Sequence, residues 1–154
     1  MKIIGIDPGV TATGYSIIDD ASCITSGTIR PKKRDTYGQL LEICDRIRSL
    51  VDEHNPDFVA LEKVFHRKNV QSLIRSSELR GAIIMTLLSC NRQIVEYTPA
   101  QIKLTTTGNG RASKQQIRYF IERAIMKDTA RLSSHAVDAV AIAYTARRKI
   151  GRTI

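Results

Sequence analysis

The sequence predicts an α/β domain built around a mixed central sheet, and three observations carry that expectation. Three strands joined as a meander open the chain; strands and amphipathic helices alternate after them; and no repeat, low-complexity tract or Gly/Ser linker breaks the alternation. A chain of 154 residues, 42% of them apolar, is long enough for one buried core and too short for two ordinary domains, so residues 1–154 are expected to form a single domain.

Residues 2–7 read as a buried strand, and residues 14–19 and 23–29 as two more that turn near Asp20, Ala21 and Ser22. Thr36 with Gln39 makes a capping-box signature; behind it Tyr37, Leu40, Leu41, Cys44, Ile47 and Val51 fall at helical spacing until Asn55 and Pro56 end the pattern. Residues 57–62 are apolar on both alternating faces, as a central strand covered on both sides should be. A helix is expected from about Val70 to Cys90. Its stretch from Ala82 to Leu88 is apolar nearly all round, which requires deep burial or cover by a second subunit. Residues 93–98 form another strand. Ser113 and Gln116 repeat the capping-box signature ahead of a stripe of Ile117, Phe120, Ile121, Ala124 and Ile125, and a last helix runs from about Ser134 to Arg148.

Charge narrows the function. The net charge of +9 is concentrated: residues 1–99 hold 13 Lys/Arg against 12 Asp/Glu, whereas residues 100–154 hold 11 against 3. An excess of one sign this local points to a polyanionic partner, nucleic acid first, over a merely solvated surface. Cys23, Cys44 and Cys90 are odd in number and far apart, with neither CxxC nor zinc-site spacing, which argues for a reducing, cytoplasmic setting. Asp7, Pro8 and Gly9 interrupt the N-terminal apolar run before it reaches signal-peptide or membrane-spanning length, so no membrane association is expected.

The candidate chemistry lies in four residues. Asp7 ends the first strand and Glu62 the central one, at the carboxyl edges where open α/β sheets place their ligands. His135 and Asp138, three apart at the start of the last helix, share one face and can lean over the same crevice. Singly, each has an ordinary explanation: a strand-end carboxylate in solvent, an Asp placed for the helix dipole, a surface histidine. Together they make a hard-oxygen set with one imidazole, suited to Mg²⁺ or, in its place, Mn²⁺. Two such ions roughly 4 Å apart can activate a water and stabilise the leaving oxygen of a phosphodiester. In that scheme Asp7 bridges the ions, Glu62 and Asp138 each complete one, and His135 ligates one or positions the water.

The basic segment has its own reading. Gly108, Asn109 and Gly110 permit positive-φ turns and lead into a capped helix N-terminus whose free N–H groups suit a phosphate, flanked by Lys103, Arg111 and Lys114. Lys114 in a first helical turn opposes the dipole unless an anion offsets it. An ordinary loop with solvated lysines is the alternative. Phe65, between Glu62 and the polar run His66-Arg67-Lys68-Asn69, reads by itself as a core anchor or as an aromatic that stacks on an unpaired base.

The motifs taken in order are Gly5-Ile6-Asp7-Pro8-Gly9 with Thr13-Gly14-Tyr15; Glu62 with Val64-Phe65 and Lys68-Asn69; Gly108 through Lys114; and His135-Ala136-Val137-Asp138-Ala139. This set resembles the RuvC family across essentially the whole chain. The resemblance implies an RNase H-like fold and a Mg²⁺-dependent endonuclease with Asp7, Glu62, His135 and Asp138 as catalytic metal ligands, although some relatives carry Asp where this chain has His135. It also implies DNA contacts by Phe65, Lys103, Arg111 and Lys114, a homodimer that makes paired nicks in four-way junction DNA, and cooperation with the branch-migration proteins RuvA and RuvB. Three rivals remain: a related nuclease acting on RNA, an actin-like phosphate-binding module, and a DNA-binding protein without activity. The second needs two such domains, more than 154 residues supply, and the third leaves the four-residue constellation without a purpose.

Overall fold

The structure, a computed structural model, describes residues 1–20, 22–63, 69–126, 129 and 131–151. Phe65 lies outside the described residues.

Five strands form one mixed sheet in the order β3-β2-β1-β4-β5. The meander of β1 (Ile3–Asp7), β2 (Thr13–Ile18) and β3 (Cys23–Ile29) is antiparallel, whereas β4 (Phe58–Glu62) and β5 (Gln93–Tyr97) add in parallel to β1. Parallel addition requires crossovers, which helices α1 (Thr36–His54) and α2 (Val70–Ser89) provide. After β5 come α3 (Pro99–Thr107), α4 (Lys114–Ala124) and α5 (Ser134–Ile150).

Strand alternation divides the interior in two. Ile4 and Ile6 of β1, Ile17 of β2 and Val59 and Leu61 of β4 pack with Ile43, Ile47, Leu50 and Val51 of α1 and Leu79, Ile83 and Leu87 of α2. Their neighbours Ile3, Ile18 and Ala60 face the other way, onto Ile102 of α3, Ile117 and Ile121 of α4 and Val137, Val140 and Ala141 of α5. Each fully buried isoleucine or leucine contributes about 1.5–3 kcal/mol relative to exposure. The same alternation turns Asp7 and Glu62, one step past this pattern on two adjacent parallel strands, towards the face that α5 covers.

Two glycines set how closely α5 lies on the sheet. A Cβ on Gly5 would stand 2.3 Å from the Ala139 carbonyl oxygen, and one on Gly14 1.9 Å from that of His135. Gly14 pairs with Asp7 across the β1–β2 ladder, so the missing side chain brings the His135 backbone down beside the Asp7 strand end.

Some elements differ from their sequence-based description. The N-cap of α1 is Asp35, whose carboxylate accepts from the Gly38 N–H at 2.6 Å, rather than Thr36. Tyr37 and Leu41, assigned to the apolar stripe of α1, are 79% and 62% exposed, because the buried face runs through Ile43, Ile47 and Leu50. The stretch from Ala82 to Leu88 is half covered: Ile83 and Leu87 are buried, Met85 and Leu88 exposed. Helix α3 was not anticipated, although Thr98, Pro99 and Gln101 form a complete capping box with Pro in the first turn. No described helix is long and apolar enough to cross a membrane.

Candidate active site

A cleft of about 300 Å³ opens at the carboxyl end of β1 and β4, and Asp7, Glu62, His135 and Asp138 all line it. Lys103 of α3 and Lys114 of α4 line it too, while Pro8, Pro99, Ile102, Ile117, Ala141 and Ile142 supply apolar surface. The turn after β1 is braced by Thr13, whose buried hydroxyl donates to the Gly9 carbonyl at 2.9 Å and accepts from the Gly9 N–H at 3.3 Å. On the opposite side, the Ser133 hydroxyl caps α5 by accepting from the Ala136 N–H at 3.1 Å, and this holds His135 and Asp138 in the first turns.

Two contacts organise the charges. Nδ1 of His135 and Oδ2 of Asp7 share a hydrogen bond of 2.6 Å, and the Asp7 side chain is only 14% exposed. With Nδ1–H directed at an ionised Asp7, a neutral His135 keeps the lone pair on Nε2 for a ligand or a proton. Lys114 Nζ donates to Asp138 Oδ2 at 2.8 Å. Burial pushes the Asp7 carboxyl above the ordinary carboxylate range, and the neighbouring Asp138 charge adds to this, against the opposing pull of His135 and Lys114. The Lys114 ammonium is held above its ordinary value, first by the hydrogen bond it donates to Asp138 and then by the charges of Asp138, Asp7 and Glu62. Three carboxylates thus act on one cation, as expected of groups that share a cleft.

Among the described residues, no three His, Cys, Asp or Glu side chains stand close enough to enclose a metal ion. The donor set still fits a hard divalent cation: three carboxylates and one imidazole on the walls of one cleft, with like-charged Asp7 and Asp138 that a cation would relieve. Of the residues expected to touch DNA, Lys103 and Lys114 reach the cleft. Arg111 does not; it stands exposed on the loop before α4, where its N–H bonds Asn109 Oδ1 at 2.9 Å. Lys114, expected to await a phosphate, is already partnered by Asp138, a contact 24 residues away along the chain. Sequence reasoning passed over the apolar lining from Pro99 and Ile102, which belongs to the unanticipated α3 and whose signal was the Thr98–Gln101 capping box.

Residues 3–146 match the family described as "Crossover junction endodeoxyribonuclease RuvC". A protein of that name from Aromatoleum aromaticum is 32% identical, with 99% of this chain and 91% of that one covered. Another from Halorhodospira halophila is 37% identical, with 92% of this chain and 87% of that one covered. In structure, Thermus thermophilus RuvC in complex with a Holliday junction substrate superposes with a TM-score of 0.90 at 22% identity, covering 98% of this chain and 96% of that one. The yeast mitochondrial Holliday junction resolvase Ydc2 gives 0.69 at 14% identity, covering 98% and 81%. These superpositions establish the RNase H-like fold that the resemblance implies. By its sequence over nearly all its length, this chain belongs to the RuvC family of crossover junction endodeoxyribonucleases.

Proposed function

We propose that this chain resolves four-way DNA junctions by hydrolysing phosphodiester bonds in the cleft formed by Asp7, Glu62, His135 and Asp138. Membership of the RuvC family makes it a junction-resolving endonuclease, a hydrolase of DNA recombination and repair. The observation that carries the assignment to this cleft is the convergence, from β1, β4 and α5, of three carboxylates and a histidine beside two lysines.

Asp7, Glu62 and Asp138, with His135, would hold Mg²⁺, which supplies an activated water and neutralises charge on the phosphate when bound. The remaining work belongs to the chain itself. Lys103 and Lys114 draw the phosphate into a cleft whose carboxylates would otherwise repel it. Asp7 fixes the His135 ring through Nδ1, so that Nε2 is the nitrogen left to accept. The apolar wall from Ile102, Ile117 and Ile142 excludes water from one side and strengthens the electrostatics within.

The reading extends to a homodimer, with one cleft on each of two opposed strands. Val70, Ile74, Met85 and Leu88 lie along one side of α2 and are at least half exposed, an apolar stripe that a second copy would cover. Cooperation with RuvA and RuvB, two ions per site, substitution of Mn²⁺, one domain over residues 1–154 and a cytoplasmic location belong to the same proposal, as do DNA contacts by Phe65 and Arg111. The test is cleavage of a four-way DNA junction, a linear duplex and a structured RNA, each with Mg²⁺ and with chelator. Metal-dependent paired nicks confined to the junction are expected; preferential cutting of the RNA would move the protein to the related RNA nucleases.

A further inference from the structure

A second cleft, of about 480 Å³, lies on the other side of the α5 N-terminus. It is bounded by the edge strand β3, through Ser26 and Thr28, by Arg30 just past the end of that strand, and by Arg131 and Ser133 ahead of α5. The two walls are joined by a 2.5 Å hydrogen bond between the Thr28 and Ser133 hydroxyls.

Its charge is opposite in character to that of the first cleft. Three carboxylates line the cleavage cleft against two lysines, whereas two arginines and no carboxylate line this one among the described residues. Arg30 and Arg131 are both exposed, and neither has an ion-pair partner among the described residues. Guanidinium groups with hydroxyls nearby, beside the edge strand of the sheet, form a donor set for phosphate oxygens. Position agrees with charge: β3 lies two strands from β1, about 10 Å at ~4.8 Å per strand, which is about three nucleotides of helical rise at ~3.4 Å each.

We propose that the cleft between β3 and the start of α5 binds the phosphodiester backbone of DNA beside the strand being cut, through Arg30 and Arg131. The inference rests on the reading of this chain as a junction nuclease and adds a contact outside its cleavage cleft. The contact has a physical purpose. The cleavage cleft sets three carboxylates against the two lysines that draw a phosphate in, and two guanidinium groups without an ion-pair partner among the described residues add to that attraction.

The test uses the full chain carrying Asp7→Asn, so that DNA is bound without being cut, and a fluorescent four-way junction titrated at several salt concentrations. Arg30→Ala with Arg131→Ala should raise Kd about five-fold or more near 0.15 M salt. It should also flatten the slope of log K against log salt by about one to two units, at ~0.9 per phosphate contact. Arg30→Lys with Arg131→Lys should recover the slope, because a point charge still releases counterions. Arg30→Gln with Arg131→Gln keeps most of the aliphatic stems and should reproduce the alanine result, covering the case in which the alanine pair unfolds. Affinity and slope equal to the parent in the glutamine pair, with unchanged thermal melting, would overturn the proposal and leave the cleft to an acidic protein surface. Separately, failure of the unsubstituted chain to cut a junction would count against the nuclease reading, whereas cutting combined with unchanged slopes would count only against this contact.

Discussion

At the scale of single residues, Asp7 is a costly group for the fold to bury. Its carboxyl is pushed up mainly by burial, so between the ordinary carboxylate range and its raised value the folded chain binds a proton that the unfolded chain releases. Stability therefore falls as pH rises through that window. Asp7→Asn removes the charge, and the Asn side-chain oxygen can still accept from His135. Without divalent metal the variant should melt at a higher temperature than the parent at pH 7, with the gain shrinking as pH falls to about 4. Thermal melting across pH 4 to 7.5 in chelator checks this, and a less stable variant at pH 7 would contradict it. The partners of Asp7 were legible in the chain to different degrees. Glu62, His135 and Asp138 declared themselves by position at strand and helix ends. The Lys114–Asp138 ion pair did not, because it depends on how α4 and α5 pack rather than on local spacing.

At the scale of elements, the approach of α5 to the sheet decides whether the cleft exists. Gly14 is where that approach is tightest, and its added Cβ would meet backbone rather than a side chain that can swing away. Gly14→Ala should destabilise the fold by about 1–3 kcal/mol, the usual cost of overpacking. It should also lower junction cleavage at least ten-fold by moving His135 off Asp7, which urea unfolding and single-turnover cleavage together would measure. Wild-type stability with full cleavage would show that the helix has slack there. Periodicity and capping signatures reveal the long elements well, since Ser113 with Gln116 and the end of α1 at Asn55 are local events. They fail where tertiary packing decides. Tyr37 and Leu41 have helical spacing but not the buried side, and the short α3 has only 9 residues in which to show a period.

At the scale of the whole molecule, the account requires two clefts on two opposed strands, and hence two copies of the chain. The exposed stripe of Val70, Ile74, Met85 and Leu88 is the surface proposed to join them. Met85→Glu should shift sedimentation from dimer to monomer at micromolar concentration and convert paired nicks to sparse single ones; monomeric wild-type protein that still nicks in pairs would remove α2 from the interface. The mixed sheet with its opening meander, the central strand covered on both faces and the basic C-terminal third were readable because they follow from alternation and charge. The pairing of Gly5 and Gly14 with the α5 backbone was not, since a glycine in a strand gives no sign of what presses against it. The central claim is that Asp7, Glu62 and Asp138 act in chemistry and not in holding DNA. It is tested most directly by single-turnover cleavage and equilibrium binding of one four-way junction by Asp7→Asn, Glu62→Gln and Asp138→Asn. Each should lose cleavage by orders of magnitude at saturating Mg²⁺ while binding the junction as tightly as the parent or more so, because negative charge near phosphates has been removed. Near-normal cleavage by Asp7→Asn, or loss of binding in step with cleavage in all three, would contradict the account.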